Sequence, residues 1–172
     1  MLNRMQRNAW TNKLVLASSL MLVSGVVLAD KVAIGALVAG QVTQVHVSEG
    51  QTVKVGTLLL EIDSQAHQAK LAYLKAEQTL QAAKYADAKV ELDQALDLFD
   101  RTVTSKRTLD AAQLQHDVAL AALNKAKAEL KMTQAWSKYY QIKSPVSGKV
   151  NKLYVATGST VFKENTPLID LE

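Results

Sequence analysis

The sequence has no cysteine, two prolines and seven glycines in 172 residues. Without cysteine there is no disulfide framework and no thiol to carry a lipid anchor. The fold must therefore hold by packing, or by assembly with other subunits. Histidine is scarce and scattered, at His46, His67 and His116. Three of the four methionines, Met1, Met5 and Met21, fall in the leading segment. Neither residue type makes a metal site, and no Met-rich copper site remains. There is no Ser/His/Asp set, no paired-carboxylate constellation and no phosphate loop. No enzyme activity, cofactor or metal is expected.

The leading segment has its own pattern. Arg4, Arg7 and Lys13 precede a 15-residue apolar run, Leu14 to Leu28. Val27 and Ala29 then place small residues ahead of Asp30, as a cleavage site requires. The segment 1–29 reads as a secretory signal peptide. An uncleaved anchor is the competing reading, but the run is short of the roughly 20 residues a bilayer span needs. Loss of the three cations takes the net charge from +4 to +1. A near-neutral chain lacks the basic face that a nucleic-acid partner demands.

Glycine and proline are both absent from Ser64 to Tyr140. That stretch is rich in Ala, Leu, Lys, Gln and Asp, the profile of long helices. Its one weak point is "DRTVTS", Asp100 to Ser105. Leu71, Gln78, Tyr85, Leu92 and Phe99 recur every seventh residue, as do Leu109, His116, Leu123 and Leu130. Ala112, Ala119 and Ala126 follow three residues behind members of the second set. Large residues facing small ones at this period predict two closely packed antiparallel helices. They span about Ser64 to Asp100 and Ser105 to Lys138. Trp136, Tyr139 and Tyr140 read as packing where the hairpin rejoins the rest of the chain, and His116 as a seam residue.

The flanks repeat each other. At an offset of 108, Val38, Gly40, Val42, Val47, Gly50, Thr52 and Val53 match Val146, Gly148, Val150, Val155, Gly158, Thr160 and Val161. One residue further on, Thr57 and Leu59 match Thr166 and Leu168, and Asn165 stands in the place of Gly56. Asn is the next best residue where φ must be positive. Each copy alternates apolar residues as strands do, with turns at its glycines. About 30 residues are too few for an independent core, so two copies close one small flattened barrel. The fold class is α+β: a lipoyl-like barrel of two sequence-distant halves, 30–63 and 142–172, with a helical hairpin, 64–141, inserted between them.

"VAGQVTQVHVSEGQTVKVGTLLLEID" and "IKSPVSGKVNKLYVATGSTVFKENTPLIDLE" resemble the two lipoyl half-motifs of the HlyD-like membrane-fusion proteins. These are the periplasmic adaptors of tripartite efflux and type I secretion systems. The resemblance covers Leu37 to Glu172. It implies a non-enzymatic adaptor between an inner-membrane transporter and a TolC-like outer-membrane channel. It also implies assembly as a ring and a location in the periplasm or against the inner membrane. A lipoate or biotin carrier needs a lysine in the tight turn between the halves, and the insertion Ser64 to Gln141 replaces that turn.

In channel-docking adaptors of this family the hairpin tip carries an Arg, a Leu four residues on and a Ser seven later. Here Leu98 and Ser105 have that spacing, and Asp110 fits the pattern beyond them. Gln94 holds the Arg position, with Arg101 close by. The resemblance makes Gln94, Leu98, Arg101, Ser105 and Asp110 the docking set. A purely local reading stands beside it: Leu98 closes the seam and Ser105 caps the second helix. Lys106 and Arg107 fall in the first turn of that helix, where the dipole disfavours cations.

Adaptors of the family usually add a β-barrel domain built from segments on both sides of this unit. Asp30 to Ala36 is too short to supply its share. The expectation is a minimal adaptor, an accessory paralogue or part of a split system, in which a fuller adaptor subunit supplies the missing contacts. A free-standing structural or regulatory coiled-coil protein is the alternative.

Overall fold

The computed structural model describes residues 31–172. The predicted signal peptide, 1–29, and its predicted cleavage site lie outside the described residues. Four strands come first: β1 (Val32–Gly35), β2 (Gly40–Val45), β3 (Thr52–Val53) and β4 (Leu58–Ile62). Two helices follow, α1 (Gln65–Asp100) and α2 (Lys106–Trp136), then a single 3₁₀ turn, Ser137–Tyr139. Four more strands end the chain: β5 (Gln141–Lys143), β6 (Gly148–Leu153), β7 (Thr160–Val161) and β8 (Pro167–Leu171).

The strands form two sheets, in the orders β1-β8-β6-β3 and β5-β4-β2-β7. Adding four to each strand of one half turns one order into the other. Every sheet therefore mixes both halves, and neither half has a sheet of its own. The hydrogen bonds repeat the relation. The Gly50 amide donates to the Val150 carbonyl at 2.7 Å, and the Gly158 amide to the Val42 carbonyl at 2.8 Å. Val42 and Val150 are matched partners across the repeat, and both are buried. So are Val53 with Val161, Leu59 with Leu168, and Ile62 with Leu171. Burying a side chain of this size stabilises by about 1.5–3 kcal/mol. One core, built from both halves, follows directly from the duplicated apolar pattern.

The glycines of the repeat do two different jobs. Gly50, Gly56 and Gly158 have φ of 83°, 83° and 92° in turns, and Asn165 takes 61° where Gly56 stands in the first copy. Gly40 and Gly148, read from the sequence as turn glycines, instead open β2 and β6. A Cβ on Gly40 would meet Ile62 Cγ2 at 2.7 Å, and one on Gly148 the Glu172 carbonyl oxygen at 2.6 Å. Close approach of chains, not a turn, excludes a side chain there.

The helices pack antiparallel as a hairpin between β4 and β5. At about 1.5 Å per residue they extend roughly 54 and 46 Å. Leu92, Leu123 and Leu130 of the heptad seam are buried, while Leu71, Tyr85 and Leu109 are half-buried. Phe99 lies at the open end and is 37% exposed. Leu74 and Ala95 of α1 and Thr133 of α2 are also buried. They stand three residues after Leu71, Leu92 and Leu130, the same step that places Ala126 in the seam. The middle of the seam is polar. Tyr85 and His116 face each other with ring centroids 5.2 Å apart. His116 Nδ1 lies 3.0 Å from Asp117 Oδ1, and that hydrogen bond holds the Asp117 carboxyl below its usual range.

Helix α2 ends two residues before the predicted Lys138. The chain tightens into the 3₁₀ turn so that Tyr139 and Tyr140 pack on the barrel core. His67 of α1 stacks on Tyr140 at 4.6 Å, and its Nε2 lies 2.9 Å from Ser137 Oγ. These contacts tie both helix roots to the barrel. Trp136 packs beside Tyr139 at 5.3 Å but stays half exposed.

Candidate functional site at the hairpin tip

The tip is built by two caps. At the end of α1 the Val103 amide donates to the Leu98 carbonyl and the Thr102 amide to the Phe99 carbonyl, both at 2.9 Å. This is a Schellman closure, and its left-handed residue is Thr102, with φ 63°. At the start of α2, Ser105 is extended, and its Oγ accepts the Thr108 amide at 3.3 Å. The same Oγ lies 3.0 Å from Thr108 Oγ1. Ser105 is thus an N-cap in fact as well as in type. Only four residues, Arg101 to Thr104, turn the chain between the last residue of α1 and the Ser105 cap.

Leu98 is 42% exposed and Val103 69%, and together they make the apex apolar. Gln94 and Leu98, one helical turn apart, line a shallow groove of about 450 Å³ with Val90, Asp93 and Asp97. Arg101 does not reach into that groove as a free cation. Its Nη2 lies 2.9 Å from Asp97 Oδ1, an exposed pair one turn apart. Ser105 and Asp110 lie on the α2 side and are exposed. Lys106 and Arg107 are exposed in the first turn, and no acidic residue accompanies them there. Val103, Thr102 and the Arg101–Asp97 pair were not singled out from the sequence. Only the Thr/Ser-rich break pointed to their neighbourhood.

Elsewhere the chemistry is sparse. His46 Nε2 sits 3.1 Å from Glu61 Oε1 on the barrel surface. Among the described residues no group of three or more His, Cys, Asp or Glu is placed to hold a metal ion. No helix among them is long and apolar enough to cross a membrane.

A two-sheet sandwich of interleaved halves, carrying a helical hairpin in place of its central turn, defines a barrel-sandwich hybrid. The family model for the RND MFP barrel-sandwich hybrid domain matches residues 30–169. The chain belongs to the membrane-fusion protein, or periplasmic adaptor, family. It is 32% identical over 139 residues to the multidrug resistance protein MdtA of Photorhabdus laumondii, covering 77% of this chain and 33% of that one. The Proteus mirabilis MdtA is 30% identical over 146 residues, covering 81% and 34%. The chain thus spans about a third of the length of these curated relatives. Among solved structures, MacA from Actinobacillus actinomycetemcomitans superposes with a TM-score of 0.74 at 31% identity, covering 84% of this chain and 49% of that chain. ZneB from Cupriavidus metallidurans gives 0.61 at 25% identity, covering 84% and 61%.

Proposed function

We propose that this chain is a non-enzymatic periplasmic adaptor subunit of an efflux or secretion assembly. Its hairpin tip meets a TolC-like outer-membrane channel. Its barrel end faces an inner-membrane transporter, directly or through a fuller adaptor subunit. In this reading residues 1–29 are a cleaved signal, 30–63 and 142–172 the lipoyl halves, and 64–141 the hairpin. The observation that carries the reading is the exposed apolar apex, Leu98 and Val103, at the far end of a rod of roughly 50 Å. A rod rooted in a small barrel with an apolar end in water implies a partner at that end.

A ring of copies fits the outer faces of the helices. Tyr73, Leu80 and Val90 on α1, and Leu114, Val118 and Met132 on α2, are exposed. They lie on the sides facing away from the seam, where hairpins standing side by side would meet. Each tip contact is small, and repetition around a ring multiplies it.

Site-specific photocrosslinking from positions 98 and 105 in intact cells tests the reading. A crosslink to an outer-membrane channel is expected. Crosslinks to no outer-membrane protein, together with full export activity in tip variants, would overturn it.

A further inference from the structure

Strands β1 and β5 are each the edge of a sheet, since among the described residues β1 pairs only with β8 and β5 only with β4. A groove of about 470 Å³ separates them at the hairpin root. Ile34 and Gly35 line it from β1, Gln141, Ile142 and Lys143 from β5, and Leu37, Lys138, Tyr139 and Pro145 from the adjoining segments.

The backbone at both edges has open valences toward this groove. The Tyr140 carbonyl accepts the Ile62 amide, and the Ser144 amide donates to the Thr57 carbonyl. Backbone groups alternate sides along a strand, so Gln141 and Lys143 turn theirs away from β4. On β1 the Ala36 amide donates to Thr166, and the same alternation turns Gly35 outward. Two facing edges with an apolar floor form the template for an added strand.

Charge selects the occupant. Lys138 and Lys143 line the groove, and among the described residues no carboxylate does. Neither lysine has an ion-pair partner among the described residues. The Lys138 ammonium rests 4.9 Å over the Tyr139 ring, at the groove wall. Leu37, at the groove, is 47% exposed, an apolar surface left open by the described residues.

We propose that this groove binds an extended acidic peptide segment of another protein, added as a strand between β1 and β5. Alternate apolar side chains of the peptide pack on Ile34, Leu37, Tyr139 and Ile142. Its carboxylates meet Lys138 and Lys143. The site lies at the opposite end of the hairpin from the tip and does not depend on channel docking.

The test is an NMR titration of the isotope-labelled protein, purified as the cell produces it, with the blocked pentapeptide Glu-Val-Glu-Val-Glu. The expected result is saturable amide shifts centred on Gly35, Gln141 and Lys143. Methylating both valine nitrogens removes the two donors on one side of the strand and should weaken binding about tenfold. The peptide Lys-Val-Lys-Val-Lys should not bind. Lys138→Glu combined with Lys143→Glu, both at exposed positions, should reverse that preference. Three outcomes overturn the proposal: absence of shifts at these amides, equal binding of the methylated peptide, or the same shifts on concentrating the protein alone. The last would make a second copy the occupant.

Discussion

The Leu98 carbonyl accepts the Val103 amide at 2.9 Å, joining two exposed apolar residues of the hairpin apex through the backbone. The bond is half of the closure that ends α1, a motif whose corresponding positions commonly carry apolar residues. The residue that makes it possible is Thr102, whose φ of 63° is a conformation that β-branched side chains rarely adopt. Strain of this kind costs about 1–2 kcal/mol, and it sits at the point where a partner would touch.

Thr102→Gly should therefore stabilise the hairpin by about 1 kcal/mol, or a melting shift of about 3 °C. Thermal denaturation followed by circular dichroism reads it. A loss of stability would mean that the Thr102 side chain holds the tip by contacts that outweigh its strain.

The seam makes a second prediction. Leu123 and Leu130 are buried between the helices. Truncation of either to Ala should cost about 2–3 kcal/mol, the low end for a packed core, because a two-helix seam is thin. Leu123→Asp should cost more, since it buries an unpaired charge. Retention of the native melting temperature by Leu123→Asp would place the residue outside the seam.

The repeat and the heptads were legible because both rest on periods that solvent imposes on any chain. Val42 with Val150 and Leu59 with Leu168 had to face inward if the strands alternated, and they do. Asn165 at φ 61° was legible because so few residues accept that geometry. The role of Gly40 and Gly148 was not legible, since crowding by Ile62 and Glu172 depends on which chains the fold brings together. Thr102 was hidden for the opposite reason: its side chain argues against the conformation it adopts. The sequence placed Arg101 close to the docking position, and only the fold reveals that Asp97 pairs with it.

The two crowded glycines should differ on substitution. At Gly40 the obstacle is the Cγ2 methyl of Ile62, a side-chain atom of a buried β-branched residue that can give only a little. At Gly148 it is the Glu172 carbonyl oxygen, which is bonded to the Lys149 amide at 2.7 Å. Overpacking costs about 1–3 kcal/mol, so Gly148→Ala belongs at the upper end and Gly40→Ala at the lower. Urea denaturation of the two variants gives the order, and a larger loss for Gly40→Ala would refute the distinction.

At Ser105 the local role and the docking role can be separated. The side chain accepts the Thr108 amide, so Ser105→Ala removes a cap and should cost about 1 kcal/mol in stability. Aspartate caps as well as serine does, and its charge suits the helix N-terminus. Ser105→Asp should therefore keep the fold while adding a charge to the rim. If Ser105 only caps, the Asp variant exports at the wild-type level and the Ala variant suffers in proportion to its lost stability. If Ser105 also meets the channel, the order reverses: Ala retains most activity and Asp loses it. Leu98→Asp should fail like Ser105→Asp, because a charge at the apolar apex resists desolvation. A change on the outer shaft, such as Lys75→Glu, should leave activity intact. Resistance or secretion assays at matched levels of folded protein, with crosslinking from both positions, discriminate the cases. We expect the second order, with Ser105→Asp and Leu98→Asp inactive but folded. Wild-type activity from both would confine Ser105 to its cap and remove the tip from the docking surface.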